Sequence, residues 1–291
     1  FDALRDLAMN NILGKRSDLE LNILQRAQRG PISHAEYDRI DAIADREADA
    51  RIGWAVTDHM RVGKTQTFFL TQPGEEARAG DDNARAYFAF VPRLNDETTL
   101  VKGRLPSETR LSAPEDVLEI EAIIPVEAAE LFDVDIGDSL VAVPPRTEDF
   151  NNVRVRISGI FERNDPDHEL WYMEREVLNG ATGPSFRTVP FHVSEQTFME
   201  VLGPSVRKMS ATYAWLLVVD RDRLNANNAE SALGSLLRTE RVLGSTLAGY
   251  RQTSELDEAL REYQQRLFFS KLPMFVVFSL IAVVILYYVV T

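Results

Sequence analysis

The chain has 291 residues, 45% of them hydrophobic and 26% charged, with no cysteine and a formal net charge of −13. Such a composition belongs to a globular chain that can bury a core, and the length exceeds one typical domain. The acidity, with a pI of about 4.9, argues against nucleic acid or anionic lipid surfaces as partners, and the lack of cysteine excludes thiolate catalysis, disulfides and Cys-ligated zinc.

Residues 2–16 place Leu4, Leu7, Ala8 and Ile12 at helical spacing, closed by Lys15 and Arg16, which predicts a short helix. From 18 to 25 the period changes to two, with Leu19, Leu21 and Ile23 alternating against Glu20 and Asn22, as in a half-buried strand that Gly30 and Pro31 break. Ser33 with Glu36 forms a capping box, and Tyr37, Ile40, Ala44 and Ala48 continue a helical face to about Arg51. Residues 61–70 and 84–91 read as strands around a Gly, Asp and Glu rich loop at 73–82.

Residues 113–204 have a different texture: short β segments at 117–124, 139–143, 153–161 and 188–193, and one short helix at 126–132. A further buried strand follows at 212–219, then a helix from about 223 to 243 carrying Leu233, Leu236 and Leu237. The two ends of this region mirror each other as strand and helix units, which pack helices on one face of a sheet in a ferredoxin-like or related α+β arrangement.

Ser254 with Asp257 is a second capping signal, and Leu256, Leu260, Tyr263 and Leu267 continue without a Gly or Pro break to Leu272. This is the spacing of a stalk helix, able to pair with the helix at 2–16. From Leu272 to Val290 (LPMFVVFSLIAVVILYYVV) there is no charge and one hydroxyl, Ser279. About 20 apolar residues cross a hydrocarbon core of roughly 30 Å, so a membrane-spanning helix is expected here. Arg266 and Lys271 beside it do not set its orientation, because long domains translocate largely regardless of charge. The chain, beginning at Phe1 and ending at Thr291, reads as a piece of a longer membrane protein with further spans.

No motif in the water-soluble region outweighs its structural alternative. Gly63, Lys64 and Thr65 resemble the tail of a phosphate-binding loop, yet Asp58 stands where the first glycine is required, within a strand. Asp133, Asp135 and Asp138 have calcium-loop spacing, but Gly137 breaks the order and the required Glu is absent, leaving a helix-to-strand turn. Asn164, Asp165, Pro166, Asp167 and His168 form a polar loop ahead of a packing aromatic, Trp171. His34, His59, His168 and His192 show no metal-ligand spacing, and no nucleophile elbow occurs. Catalytic, cofactor-binding and metal-binding residues are therefore all expected to be none.

With these segments placed, the chain resembles the extracytoplasmic region of the FtsX/MacB-type ABC transporter permeases. GRLP at Gly103 to Pro106 resembles a glycine, basic residue and proline segment of that family. EAIIPVEAAELFDVDIGDSL at Glu121 to Leu140 and VRVRISGIFERNDPD at Val153 to Asp167 resemble two of its strand and turn runs. The stalk and the apolar run resemble its second transmembrane helix. The resemblance implies an α+β fold: a porter-like strand, helix, strand lobe with an inserted β-rich lobe, followed by a stalk helix and a transmembrane helix.

The implied divisions are 1–16, a stalk helix after a preceding span; 17–112 and 205–251, the two parts of the porter-like lobe; 113–204, the insert; 252–271, the second stalk; and 272–291, the span. The resemblance also implies a permease subunit, not itself an enzyme, in the plasma membrane with its lobes on the extracytoplasmic side. Its partners would be an ABC-type ATPase subunit or domain, a second permease copy or homologous permease, and the bilayer, with no nucleic acid and no cofactor. Hydrolysis of ATP by the partner would move the stalks for export or mechanotransmission. Pro273, at the membrane boundary, departs from an ideal lever because an interior proline kinks a helix. The alternative is a membrane-anchored extracytoplasmic sensor or binding domain, and a tethered hydrolase is disfavoured by the absent motifs.

Overall fold

The computed structural model describes residues 2–30, 32–71, 84–108, 118–144, 152–173, 181–183, 186–206 and 209–290. The first unit is a four-stranded antiparallel sheet in the order β12-β1-β11-β2, formed by β1 (Ile23–Gly30), β2 (Val56–Thr65), β11 (Ala211–Val219) and β12 (Arg251–Thr253). Helix α3 (His34–Asp49) connects β1 to β2, and α6 (Ala229–Thr246) connects β11 to β12. Each helix therefore joins two parallel strands with a third between them, which is the split β-α-β arrangement of ferredoxin-like sheets.

The second unit is a closed ring of six strands, β4-β3-β7-β8-β6-β10, inserted in the chain between β2 and β11. It comprises β3 (Phe68–Thr71), β4 (Ala84–Phe90), β6 (Leu118–Pro125), β7 (Ser139–Val143), β8 (Val153–Arg163) and β10 (Phe186–His192). The ring closes through a parallel ladder between β4 and β10 and a bridge of β10 to β6 where His192 faces Ile123. Alternate residues point inward: Phe68 faces Ala86, Phe88 faces Phe191, Leu140 faces Val155 and Ala122 faces Ile157. All are buried in one apolar cluster, and each large side chain so buried contributes roughly 1.5–3 kcal/mol. The turns Thr197–Leu202 and Gly203–Ser205 cover the side nearest α3, with the rings of Phe198 and Phe90 4.9 Å apart. Strand β5 (Thr98–Gly103) adds to β8 from outside, and β9 (Ala181–Gly183) to β10.

Helices α3 and α6 cover one face of the four-stranded sheet. Towards the barrel Tyr37, Ile40 and Ala44 join the barrel's cluster with Tyr213 and Trp215. At the other end Ala48, Ala232, Leu233 and Leu236 pack with Ile23 and Leu217. Where the two clusters meet, Gln252, Gln25, Trp215 and Arg61 are successive register partners across the four strands. The opposite face of the sheet (Met60, Val62, Ala214, Leu216) packs under Leu170, Trp171 and Met173 and against Phe161 from the barrel wall.

Several expected elements differ in detail. Residues 18–25 were expected as one strand, but Ser17 and Glu20 make a reciprocal capping box that turns Asp18–Leu21 into a short helix, α2, and delays the strand to Ile23. The expected strand at 61–70 divides at Gln66, where the chain leaves the sheet for the barrel. Helix α6 starts at Ala229 rather than 223 because Asn225 and Asn228 hold the preceding residues in turns. Ser33 precedes α3 without a side-chain capping bond, and Glu36 pairs with Arg39 instead. In α1 (Asp2–Leu13) the buried side is Met9, Ile12 and Leu13, whereas Leu4 and Leu7 are exposed. The expected loop at 73–82 lies outside the described residues.

Candidate functional site

Helix α7 (Leu256–Val290) is 35 residues long and starts inside the protein. Leu256, Ala259, Leu260 and Tyr263 are buried in one cluster with Met9, Ile12 and Leu13 of α1 and with Leu233 and Leu236 of α6. Its first turn is tied to α2, the short helix that leads into β1. The Ser254 hydroxyl donates to the Leu21 carbonyl at 3.1 Å and accepts from Leu256 N–H, and Glu255 N–H donates to the Glu20 carbonyl at 2.8 Å. Arg16, following α1, lies 3.3 Å from the Glu255 carboxylate and 3.5 Å from that of Glu262, so one guanidinium bridges the base of both helices.

Beyond this seat α7 leaves the protein. Phe268 and Phe269 are 61% and 64% exposed, and every residue from 276 to 287 is exposed and none is charged. The backbone stays helical through Pro273. Among the described residues no helix is long and apolar enough to cross a membrane. Side chains 270–275 lie outside them, and the described run 276–287 covers only about 18 Å at 1.5 Å per residue.

Sheet and barrel are joined by charges as well as by apolar packing. Arg93 forms an ion pair with Asp58 of β2 and a longer one, 3.5 Å, with Glu97 of α4 (Leu94–Glu97), while His168 Nε2 lies 3.6 Å from Glu97. On the helix face Arg61 pairs with Asp41 of α3, whose other oxygen accepts from the Trp215 indole N–H at 2.7 Å. His59 sits between Asp45 and Asp49, 3.8 and 3.6 Å away. The Asp45 carboxylate, helped by Asp49 and opposed by partial burial, raises the imidazole above its ordinary pKa. Arg26 reaches the Met173 carbonyl at 2.6 Å, fixing the segment that covers the sheet's second face.

The segments that carry the sequence resemblance are structural hinges of the barrel wall. Gly103 takes φ +79°, a backbone that glycine accepts readily, and a Cβ there would collide with the Ser158 carbonyl oxygen. The next residue, Arg104, makes a two-pronged pair with the buried Glu121 at 2.7 and 2.6 Å, and Ser107 N–H donates to the same carboxylate at 2.9 Å. Burial opposes the charge of Glu121, but these donors outweigh it and hold its pKa below the usual carboxylate range. Asp133, Asp135 and Asp138 shape the turn after α5 (Val126–Phe132). Asp133 is left-handed at φ 52°, Asp138 accepts from Asp135 N–H at 2.8 Å, and Asp135 pairs with Lys102.

Gly63, Lys64 and Thr65 lie within β2, where Thr65 Oγ1 accepts from Phe88 N–H. In the loop 164–168 Asn164 and Asp165 are held by Thr99 and by the Trp171 indole. His34 lies 3.5 Å from Glu200, and His192 packs edge-on against Phe161 inside the wall. The structure brings none of the four histidines together, and among the described residues no three His, Asp or Glu side chains form a metal cluster. Glu121 was legible as part of a run but not as the partner of Arg104. The Arg93 to Asp58 link, 35 residues apart, leaves no local signal.

No family model and no curated relative matches the chain. Among solved structures, the periplasmic region of MacB from Actinobacillus actinomycetemcomitans aligns over 88% of this chain and 98% of its own, with a TM-score of 0.39 and 11% identity.

Proposed function

We propose that this chain is the extracytoplasmic part of an ABC transporter permease, seated on helices that enter the membrane and driven by ATP hydrolysis in a partner subunit or domain. The observation that carries this reading is α7: one helix whose first turns are locked into the core and whose residues 276–287 present only apolar or uncharged side chains to solvent. A side chain such as Phe269 or Leu286 is costly to expose to water and at home in lipid. The paired α1, with Leu4 and Leu7 exposed on its early turns, supports a second entry at the same end. The stretches at Gly103 to Pro106, 121–140 and 153–167 add the sequence resemblance.

In this reading the protein works by position rather than by catalysis. Displacement of the α1 and α7 pair is passed through Arg16 and the Leu256 to Tyr263 seat to the four-stranded sheet, and from there through the ion pair of Asp58 with Arg93 to the barrel. The test uses the full-length protein in detergent. An ATPase should co-purify with it or be fused to it, and ATP should change the distance between labels on sheet and barrel. Leu260→Pro, which breaks the helix at the seat, should abolish that movement while the barrel keeps its fold. Retention of ATP-driven movement in this variant would overturn the lever mechanism, and a lone protein indifferent to ATP would overturn the permease reading.

A further inference from the structure

Strands β1 and β2 both run antiparallel to β11, so Ile23 and Val56 lie at one end of the sheet, while Thr65 at the other end leads towards the barrel. The end at Val56 is closed by two turns, Gly53–Ala55 and Arg221–Arg223. They are joined to each other: Asp220 N–H donates to the Ala55 carbonyl at 2.8 Å, and the Arg223 guanidinium donates to the Trp54 carbonyl at 3.2 Å. The same segment reaches α1, where Ala226 N–H donates to the Asp6 carboxylate at 2.9 Å. Asp6 lies about 10 Å beyond Leu13 along α1 at 1.5 Å per residue, between the exposed Leu4 and Leu7. The turn that carries Trp54 is therefore tied, through this loop, to the part of α1 that has left the core.

Of the three tryptophans, Trp171 and Trp215 are 2% and 3% exposed, whereas Trp54 is 40% exposed. Its indole N–H donates to the Arg51 carbonyl at 3.2 Å, so what it offers outward is the ring. An indole is apolar over its faces and polar at one edge, which suits the headgroup level of a bilayer better than either water or hydrocarbon. The neighbouring cations are each engaged within the protein: Arg51 by Glu47, Arg221 by Asp18 and Arg223 by Asp220. A surface neutralised in this way lacks the unpaired basic cluster that selects anionic lipid.

We infer that the end of the sheet carrying Trp54 rests on the membrane, with the Trp54 ring seated among the headgroups of a phospholipid surface irrespective of lipid charge. The inference takes the presence of a bilayer from the permease reading and adds the level at which it begins. Helix α1 enters the lipid at Leu4 and Leu7 and α7 at Phe268 and Phe269, the exposed apolar side chains at this end. The sheet then stands directly on the membrane rather than on a free stalk, and Trp54 fixes its height there.

The test uses the full-length protein reconstituted into phosphatidylcholine vesicles. The difference in tryptophan emission between it and Trp54→Phe, which keeps an aromatic ring at an exposed position, isolates the Trp54 indole. Lipid brominated near the carbonyl end of its acyl chains should remove most of that difference signal, and iodide present on both sides of the membrane should remove little of it. Adding phosphatidylglycerol should change neither result. Flotation with the vesicles is measured in parallel and separates two kinds of failure. A protein that does not float would overturn the permease reading together with this seat. A protein that floats, but whose Trp54 signal yields to iodide and not to brominated lipid, would overturn the seat alone. Quenching by brominated lipid only when phosphatidylglycerol is present would overturn the indifference to lipid charge.

Discussion

The barrel and the helix-covered sheet are built on the same chain, but the barrel interior is filled by Phe68, Phe88, Ile120, Val155, Phe191 and their neighbours, whereas the layer between sheet and helices is crossed by the row Gln252, Gln25, Trp215 and Arg61. Within that layer Trp215 and Arg61 are satisfied by Asp41, but both amide atoms of Gln25 and the Thr239 hydroxyl are buried without a hydrogen-bond partner among the described groups. Each such group costs about 1–3 kcal/mol. The layer joins two apolar clusters, one shared with the barrel and one with α1 and α7, and the unbonded amide of Gln25 lies in the row that crosses it.

The contrast can be broken most strongly at the barrel. Phe88→Ala removes a ring that packs 5.1 Å from Phe68 and 5.5 Å from Phe191, and should cost about 3–5 kcal/mol in denaturant unfolding. A loss below about 1 kcal/mol would mean an interior that closes over the gap, contrary to a rigid barrel. Gly103→Ala forces a side chain onto a left-handed residue against the Ser158 carbonyl and should cost about 3 kcal/mol by the same measurement. An unchanged midpoint would show that β5 can shift on β8.

In the row that crosses the layer the expected sign reverses. Gln25→Leu replaces a buried, unbonded amide with an apolar side chain of similar size and should stabilise the protein by about 1–2 kcal/mol, seen as a higher melting temperature. Destabilisation would show that the amide is satisfied. The smallest effect is at His59. Its pKa is raised in the folded protein by Asp45 and Asp49, so its stabilising charge is fully present below the ordinary histidine value, about 6.5, and is lost as pH rises through the higher folded value. His59→Gln should flatten the stability profile across that window, and superimposable profiles would remove His59 as a contributor.

How much was legible varies with the range of the interaction that sets each feature. Helix α5 at 126–132 and strand β7 at 139–143 have the bounds expected from their periodicity, because their signals lie within them. Strand β5 was missed because its side chains are mostly exposed, Val101 at 47%, which leaves no alternation to read. The misplaced strand at 18–25 shows a local cap defeating a period-two pattern. Of the candidate surfaces, the seat of α7 was legible in Leu256, Leu260 and Tyr263. The pairing of β2 with β4 at Gly63 and Lys64 was not, because it joins residues more than 20 positions apart in the chain.

By itself the sequence determined the types of elements such as α3, α5 and β7, the stalk spacing, the uncharged run from Leu272 to Val290 and the lack of any metal or nucleophile motif, all consequences of residues within a few turns of one another. Only the tertiary structure decided that β4 and β10 run parallel, with Ala84 beside Arg187, and so close a barrel. It also decided that Arg16 spans Glu255 and Glu262 and that β2 meets β4 at Gly63 and Lys64. A period-two pattern states which face of a strand is buried but not which strand lies beside it. That choice is made by the packing of the whole chain.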